Sequence, residues 1–272
     1  MTPDANSLPA PALWALGWGL CALTMALAWM RQRTTRDATA VDVVWTANLG
    51  LLALLYAALG GGAPTRRVLL ALLVGAWCAR LSLHLLRTRV LAPGHGEDKR
   101  YAGLREAWGA RAQRNFFWLY QAQGLLDALL SLPFLLIAFD PDASLGWLAG
   151  VSALLLATSV VGESTADRQL AAFKSDPANR GRTCRAGLWR YSRHPNYFFE
   201  WLAWCAFALL ALGAPLGWLG IGAPLLMLYL LLQVTGVPPA ERQALRSRGD
   251  DYRAYQRTTS AFFPWIPSRG TS

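Results

Sequence analysis

Seven apolar runs, each close to the length needed to cross a bilayer, leave this chain very few architectures. They lie at Leu13 to Met30, Val41 to Leu59, Val68 to Leu86, Phe116 to Phe139, Leu145 to Gly162, Tyr197 to Leu212 and Leu216 to Val234. A hydrocarbon core takes about 20 residues of helix. Lipid offers no water to the backbone, so each run must be a helix that satisfies its own N–H and C=O groups. The expected fold is therefore all-α, a polytopic membrane protein of about seven transmembrane helices. The sixth run is the shortest, parted from the seventh by Gly213, Ala214 and Pro215. Composition points the same way: 54% of residues are hydrophobic and 15% charged, against about 25% charged in soluble domains.

The basic residues test this layout, because cytoplasmic loops collect Lys and Arg. With the N-terminus outside and the C-terminus cytoplasmic, Arg31, Arg33 and Arg36 fall inside, as do Arg87 through Arg114, Arg168 through Arg193 and Arg242 through Arg269. Only Arg66 and Arg67 fall outside, Arg80 lies within a span, and Asp4, Asp140 and Asp142 sit on the outer side. Topology and contact with anionic lipid then account for the net charge of +10. Nucleic acid is not an expected partner, since no separate basic domain exists to carry it. No segment points to a protein partner.

The first apolar run lacks the basic flank of a secretory leader and reads as a retained span. Cys21, Cys78, Cys184 and Cys205 form no Cys-x-x-Cys pair, and His84, His95 and His194 are equally dispersed. Neither a disulfide framework nor a metal site is expected. The chain reads as one membrane domain, 1–272, with a cytoplasmic loop at 168–194 and a cytoplasmic tail at 236–272.

Asp42, Arg80, His84, Asp127, Glu163, Asp167 and Glu200 lie in or at the edge of spans. An ionised group costs at least about 2.5 kcal/mol at the bilayer centre, so such residues face the bundle interior. They either glue helices together or line a site. Arg80 and His84, four apart, are expected to pair with Asp42 or Asp127. Glu163 and Asp167, also four apart, share one helical face.

The most informative stretch runs from Gly187 through Trp189, Arg190, Tyr191, Arg193, His194 and Pro195 to Glu200. Pro195 suits the first turn of a helix. Asn196 and Glu200 then share a face, with Arg193 and Tyr197 beside them and Arg182, Arg185 and Arg190 upstream. Free N–H groups at a helix start and a cluster of arginines suit a phosphate-bearing ligand. Positive-inside topology and interfacial aromatic anchors would explain the arginines and Tyr191, Tyr197 and Trp189 alone. They do not explain Asn196 and Glu200 entering the membrane together.

That stretch resembles the C-terminal motif of the steroid 5α-reductase superfamily, in a bacterial branch classed as a domain of unknown function. Asp42-Val-Val-Trp45, Gly96 to Tyr101, Gln121 to Gly124, Asp176 to Gly181, and Tyr252 to Tyr255 through Phe263-Pro264-Trp265 are similar to that branch in order and spacing. The resemblance implies a bacterial cell-membrane enzyme of seven helices that takes NADPH from the cytosol. It reduces a carbon–carbon double bond conjugated to a carbonyl in a lipophilic substrate, steroid-like or isoprenoid, drawn from the bilayer. By position, Asn196 and Glu200 match the motif's Asn and Glu, Asp167 matches an Asp at the nucleotide portion, and Lys174 falls near a basic cofactor contact. Arg182, Arg190, Tyr191, Arg193, His194 and Tyr197 complete the candidate cofactor site. The reaction needs an acid to meet charge on the carbonyl oxygen. Glu97 and Tyr101 are the candidates, with Asp98 in reserve.

Two departures matter. The Arg and His cluster that some reductases carry after the last span is replaced by Val237-Pro-Pro-Ala-Glu241. The Arg-His-Pro-x-Tyr core is also shared with isoprenylcysteine and phospholipid methyltransferases, which use S-adenosylmethionine. Those enzymes typically carry two adjacent glutamates after the last span, where this chain has Ala240-Glu241-Arg242.

Overall fold

The computed structural model describes residues 8–92 and 96–268; Asp4, His95 and Arg269 lie outside them. Every regular element among the described residues is a helix. The chain divides into two compact units, one of residues 1–146 with 211–220, the other of residues 147–210 with 221–272.

Unit 1 holds α1 (Ala10–Thr35), α2 (Val41–Leu59), α3 (Pro64–Leu85), α4 (Lys99–Trp108), α5 (Ala112–Leu130) and α6 (Leu132–Ala138). Its core is built of large side chains excluded from solvent, among them Leu49, Tyr56, Trp77, Phe116, Tyr120 and Phe134. Small residues set how closely the helices approach. A Cβ on Gly17 of α1 would lie 2.6 Å from Leu52 of α2, and one on Gly124 of α5 would lie 3.3 Å from the Cys21 backbone of α1.

The intramembrane polar groups of this unit are tied to one another. Asn48 Nδ2 donates to Asp127 Oδ2 at 3.0 Å, and Thr24 Oγ1 donates to Asn48 Oδ1 at 2.7 Å. Asp42 is held by Arg89, Arg100 and Tyr101. Arg80 and His84 were expected to pair with Asp42 or Asp127; the donors seen on those carboxylates are instead Arg89, Arg100 and Tyr101 for Asp42 and Asn48 for Asp127. At the far end of α2 from Asp42, the turn Gly60 to Gly62 is closed by Gly62 N–H donating to Ala138 C=O (2.9 Å), and Arg66 Nε meets Asp140 at 3.1 Å with both side chains buried.

Unit 2 holds α7 (Trp147–Ser175), most of α8 (Pro195–Ala211), α9 (Gly222–Tyr229), α10 (Val237–Arg248) and α11 (Asp250–Thr258). Gly162 of α7 accepts the ring of Phe199 of α8 against its backbone, and Ser159 Oγ donates to Phe199 C=O at 2.6 Å. A π-helical turn, Leu230–Val234, carries α9 toward α10. A second one, Leu86–Val90, prolongs α3 in unit 1.

Six helical stretches among the described residues are long and apolar enough to cross a membrane: Ala10–Thr35, Val41–Leu59, Pro64–Val90, Lys99–Ala138, Trp147–Ser175 and Gly217–Arg248. Seven were expected. The difference lies in α8, which has 17 residues and rises only about 26 Å at 1.5 Å per residue. The chain is thus a multi-pass membrane protein by length and composition of its helices.

Candidate functional site

Unit 2 gathers every residue expected to touch a cofactor. The 3₁₀ turn Gly187–Arg190 docks on α7, with Trp189 Nε1 donating to Ala166 C=O and Leu188 N–H donating to Gln169 Oε1, both at 2.9 Å. Gly187 has φ +59° and the Gln169 side chain packs against its Cα. Only glycine is relaxed in that conformation. The turn therefore fixes where Arg190 and Tyr191 leave the α7 surface and where α8 begins, four residues on.

Between the turn and α8 the chain is pinned by the C-terminal elements. Arg193 Nε donates to Glu241 Oε1 at 2.6 Å, and its Nη1 donates to the carbonyls of Thr259 (2.6 Å) and Gln256 (3.1 Å). Its backbone N–H donates to Ser260 C=O at 2.8 Å. Ser192 Oγ donates to Phe262 C=O at 2.7 Å, and the Tyr255 hydroxyl donates to Trp189 C=O and, at 3.1 Å, to Ser192 C=O.

Glu241 is the hub of this clasp. Besides Arg193 it accepts from Gln256 Nε2 at 2.8 Å and from the Tyr252 hydroxyl at 3.4 Å. His194 Nε2 lies 3.5 Å from Glu241 Oε1, too far for an ordinary hydrogen bond but close enough for a charge to be felt. Burial, and then the negative charge of Glu241, push the Tyr252 phenol up to about 12. Its hydroxyl stays protonated and keeps donating.

The first turn of α8 follows. The ring of His194 stacks on Tyr197 with centroids 5.3 Å apart and an interplanar angle of 4°. Asn196 is half-buried and makes no side-chain hydrogen bond among the described residues. Glu200, one turn further, is buried and accepts from Trp204 Nε1 at 3.2 Å. On α7, Glu163 is buried and Asp167 half-buried, and Lys174 is exposed near the helix end.

The arginines divide into two groups. Arg193 is committed to Glu241, and Arg185 to Asp251 at 2.8 Å. Arg182 and Arg190 are exposed and make no ion pair or side-chain hydrogen bond among the described residues. No group of three His, Cys, Asp or Glu side chains that could hold a metal ion occurs among the described residues.

The two acid candidates, Glu97 and Tyr101, lie in unit 1. Glu97 accepts from Arg105 Nη2 (2.6 Å) and Nε (3.0 Å) and from Ala38 N–H (3.0 Å). Arg105 also reaches Gln32 Oε1 at 3.2 Å, so Glu97 joins the start of α4 to the end of α1. The Tyr101 hydroxyl, nearly buried, donates to Asp42 Oδ1 at 2.6 Å, and Arg100 Nη2 donates to Asp42 Oδ2 at 2.7 Å. Asp98 caps α4 by accepting from Arg100 N–H at 2.9 Å, while its own N–H donates to Thr39 Oγ1 at 2.8 Å. Burial opposes its charged form, but hydrogen bonds and charge from Arg100, and charge from Arg89, outweigh that and hold the Asp98 carboxyl below the usual carboxylate range.

Sequence reasoning did not single out Gln169, Tyr252 or Gln256 as parts of the site, and gave Glu241 only as a departure from a pattern. Arg193 and Glu241 are 48 residues apart, and no periodicity marks such a pair. The three-residue spacing of Tyr252 and Tyr255, both buried, is a local sign that one face of α11 packs on something.

A family model described as "Protein of unknown function (DUF1295)" matches residues 28–259. No curated protein and no solved structure matches the chain. The family match takes in every candidate site residue and stops one residue short of Ser260.

Proposed function

We propose, from the premise that the chain belongs to the DUF1295 family, that it is a membrane-embedded reductase. In this reading it takes NADPH at the start of α8 and reduces a double bond conjugated to a carbonyl in a lipophilic substrate of a bacterial cell membrane. The observation that supports it is the division among the arginines. Arg193 and Arg185 are spent on Glu241 and Asp251, whereas Arg182 and Arg190 stay exposed and uncommitted on the stretch that leads into α8. NADPH carries a pyrophosphate and a ribose phosphate. Guanidinium groups bind such oxygens by forked, charge-assisted hydrogen bonds, and a helix start adds free N–H donors.

The other residues take supporting parts. Asn196 offers an uncommitted amide at the same helix start, and Glu200 a buried carboxyl one turn deeper. Asp167 and Lys174 belong to the nucleotide end by the family resemblance, as do Tyr191, His194 and Tyr197 by the motif. Arg193 is a positioning residue that fixes His194 and Asn196 through the C-terminal clasp. Bound NADPH would supply a hydride to the β-carbon of the enone. The oxygen that gains charge needs a donor; the sequence offers Tyr101 and Glu97 for that part, and within unit 1 each is engaged, Tyr101 with Asp42 and Glu97 with Arg105. Tyr101 would have to give up its bond to Asp42 in order to donate.

One observation favours a second reading, an S-adenosylmethionine-dependent methyltransferase. Glu241 stands where those enzymes carry their paired glutamates, and it bonds directly to the motif through Arg193. The two cofactors differ in phosphate, which gives the test. Titrating purified protein with NADPH, replacement of both Arg182 and Arg190 by alanine should weaken affinity at least about tenfold, the loss of roughly 1.4 kcal/mol or more. Unchanged affinity in that variant would remove the support for NADPH.

A further inference from the structure

We propose that the segment Phe263–Ile266 is a membrane-interface anchor that seats the C-terminal clasp on an anionic lipid surface. Phe263, Trp265 and Ile266 are 49%, 75% and 78% exposed, outside all six helices long enough to span. Tyr191, 41% exposed, joins them, because Trp265 N–H donates to Tyr191 C=O at 2.9 Å.

These side chains are held outward. Ser192 fixes Phe262, the Arg193 N–H fixes Ser260, and Ser268 N–H donates to Thr258 C=O at 3.0 Å, so the backbone is tied on both sides of the patch. Pro264 and Pro267 deny the segment helical hydrogen bonds. Phe262 turns inward and is buried, while Phe263 turns outward. A soluble surface gains nothing from a Trp and an Ile presented in this way.

The occupant follows from the helix surface that the patch continues and from the charge of the C-terminal helices. Phe263 packs edge-on against Trp201 (5.7 Å) and Phe198 (6.1 Å) of the apolar helix α8, so the exposed rings continue a surface of that helix. On α10 and α11, Arg242, Arg246 and Arg257 are exposed with no acidic partner among the described residues. Exposed aromatic rings and uncompensated cations carried by the same C-terminal stretch are the combination expected at an interface with anionic headgroups. This segment lies beyond the family match, which ends at residue 259. The inference does not depend on which cofactor the motif binds.

A spin label at Ile266→Cys, with Asp250→Cys at the exposed start of α11 as reference, reads the environment of each position in the whole chain in lipid nanodiscs. At residue 266 we expect collisions with oxygen to exceed those with a water-soluble nickel chelate several-fold, and the reverse at 250. The shielding at 266 should deepen when phosphatidylglycerol replaces phosphatidylcholine, and that dependence should vanish in Arg242→Gln/Arg246→Gln/Arg257→Gln. Free access of nickel to residue 266 in both lipids would overturn the proposal. So would shielding that is lost when each disc holds a single copy, since the patch would then belong to a second copy of the chain. Equal shielding in the two lipids would overturn its anionic part.

Discussion

Arg193 and Glu241 meet across 48 residues of chain with Nε 2.6 Å from Oε1, and both side chains are largely buried. This pair joins the motif that opens α8 to α10. Removing one member leaves the other charge buried without its partner, which costs about 3 kcal/mol or more. Glu241→Gln and Arg193→Ala should each lower unfolding stability in detergent by about that amount, and the double variant should lose much less than the sum. Arg193→Lys should recover only part, because lysine cannot serve Glu241 and two carbonyls from one rigid fork. Additive losses in the double-mutant cycle would count against the clasp.

Gly187 supplies a second test. Gly187→Ala places a Cβ at φ +59° and into the Gln169 side chain that receives Leu188 N–H. The left-handed conformation alone costs roughly 1–2 kcal/mol. Denaturant melts should show that loss or slightly more. Gln169→Ala should cost about 1 kcal/mol by orphaning the Leu188 N–H.

In unit 1, the Asp42 cluster predicts an order of effects. Tyr101→Phe deletes one donor to a carboxylate that keeps Arg89 and Arg100, and should cost about 1.5 kcal/mol. Asp42→Asn leaves Arg89 and Arg100 to share the Asp98 carboxylate and should cost more. Equal stability of the two variants in chemical denaturation would show that the arginines are solvated well enough not to need Asp42.

The acid limb of stability carries a signature of Asp98. Its folded carboxyl titrates below the unfolded value of about 3.9. Its contribution is therefore fully present above that value and is lost as pH falls through the lower, folded value. Asp98→Asn keeps a good helix cap but has no charge to titrate. Stability measured from pH 6 down to pH 3 should fall less steeply in Asp98→Asn than in the parent, and parallel curves would contradict the assignment.

Much of the fold was readable because lipid imposes one rule on the backbone. Hydrophobic length alone located α1, α2, α3, α7 and the stretch through α9 and the π-helical turn to Val234. It could not show that the fourth run would break at Ser131, between α5, which ends at Leu130, and α6, which starts at Leu132 with Pro133 in its first turn. Nor could it decide α8, whose 17 residues sit at the edge of the rule. Of the candidate site, the local geometry was legible: Pro195 at a helix start, and Asn196 and Glu200 on one face. It was not legible where distant segments meet. Arg193 reads as one more cytoplasmic cation until Glu241 and the carbonyls of Gln256 and Thr259 are seen around it. Asp42 likewise finds Arg89 and Arg100 beyond the end of α3, where spacing along α3 had pointed to Arg80 and His84.

The most direct measurement of the central claim is the thermal stability of the detergent-purified protein with NADPH, NADH, S-adenosylmethionine or no ligand. A ligand present at about 100 times its dissociation constant adds about 2.7 kcal/mol to the folded state. Stabilisation by NADPH that is lost in Arg182→Ala/Arg190→Ala is the result this account predicts. Stabilisation by S-adenosylmethionine alone, unaffected by those substitutions, would contradict it and move the chain to the methyltransferases.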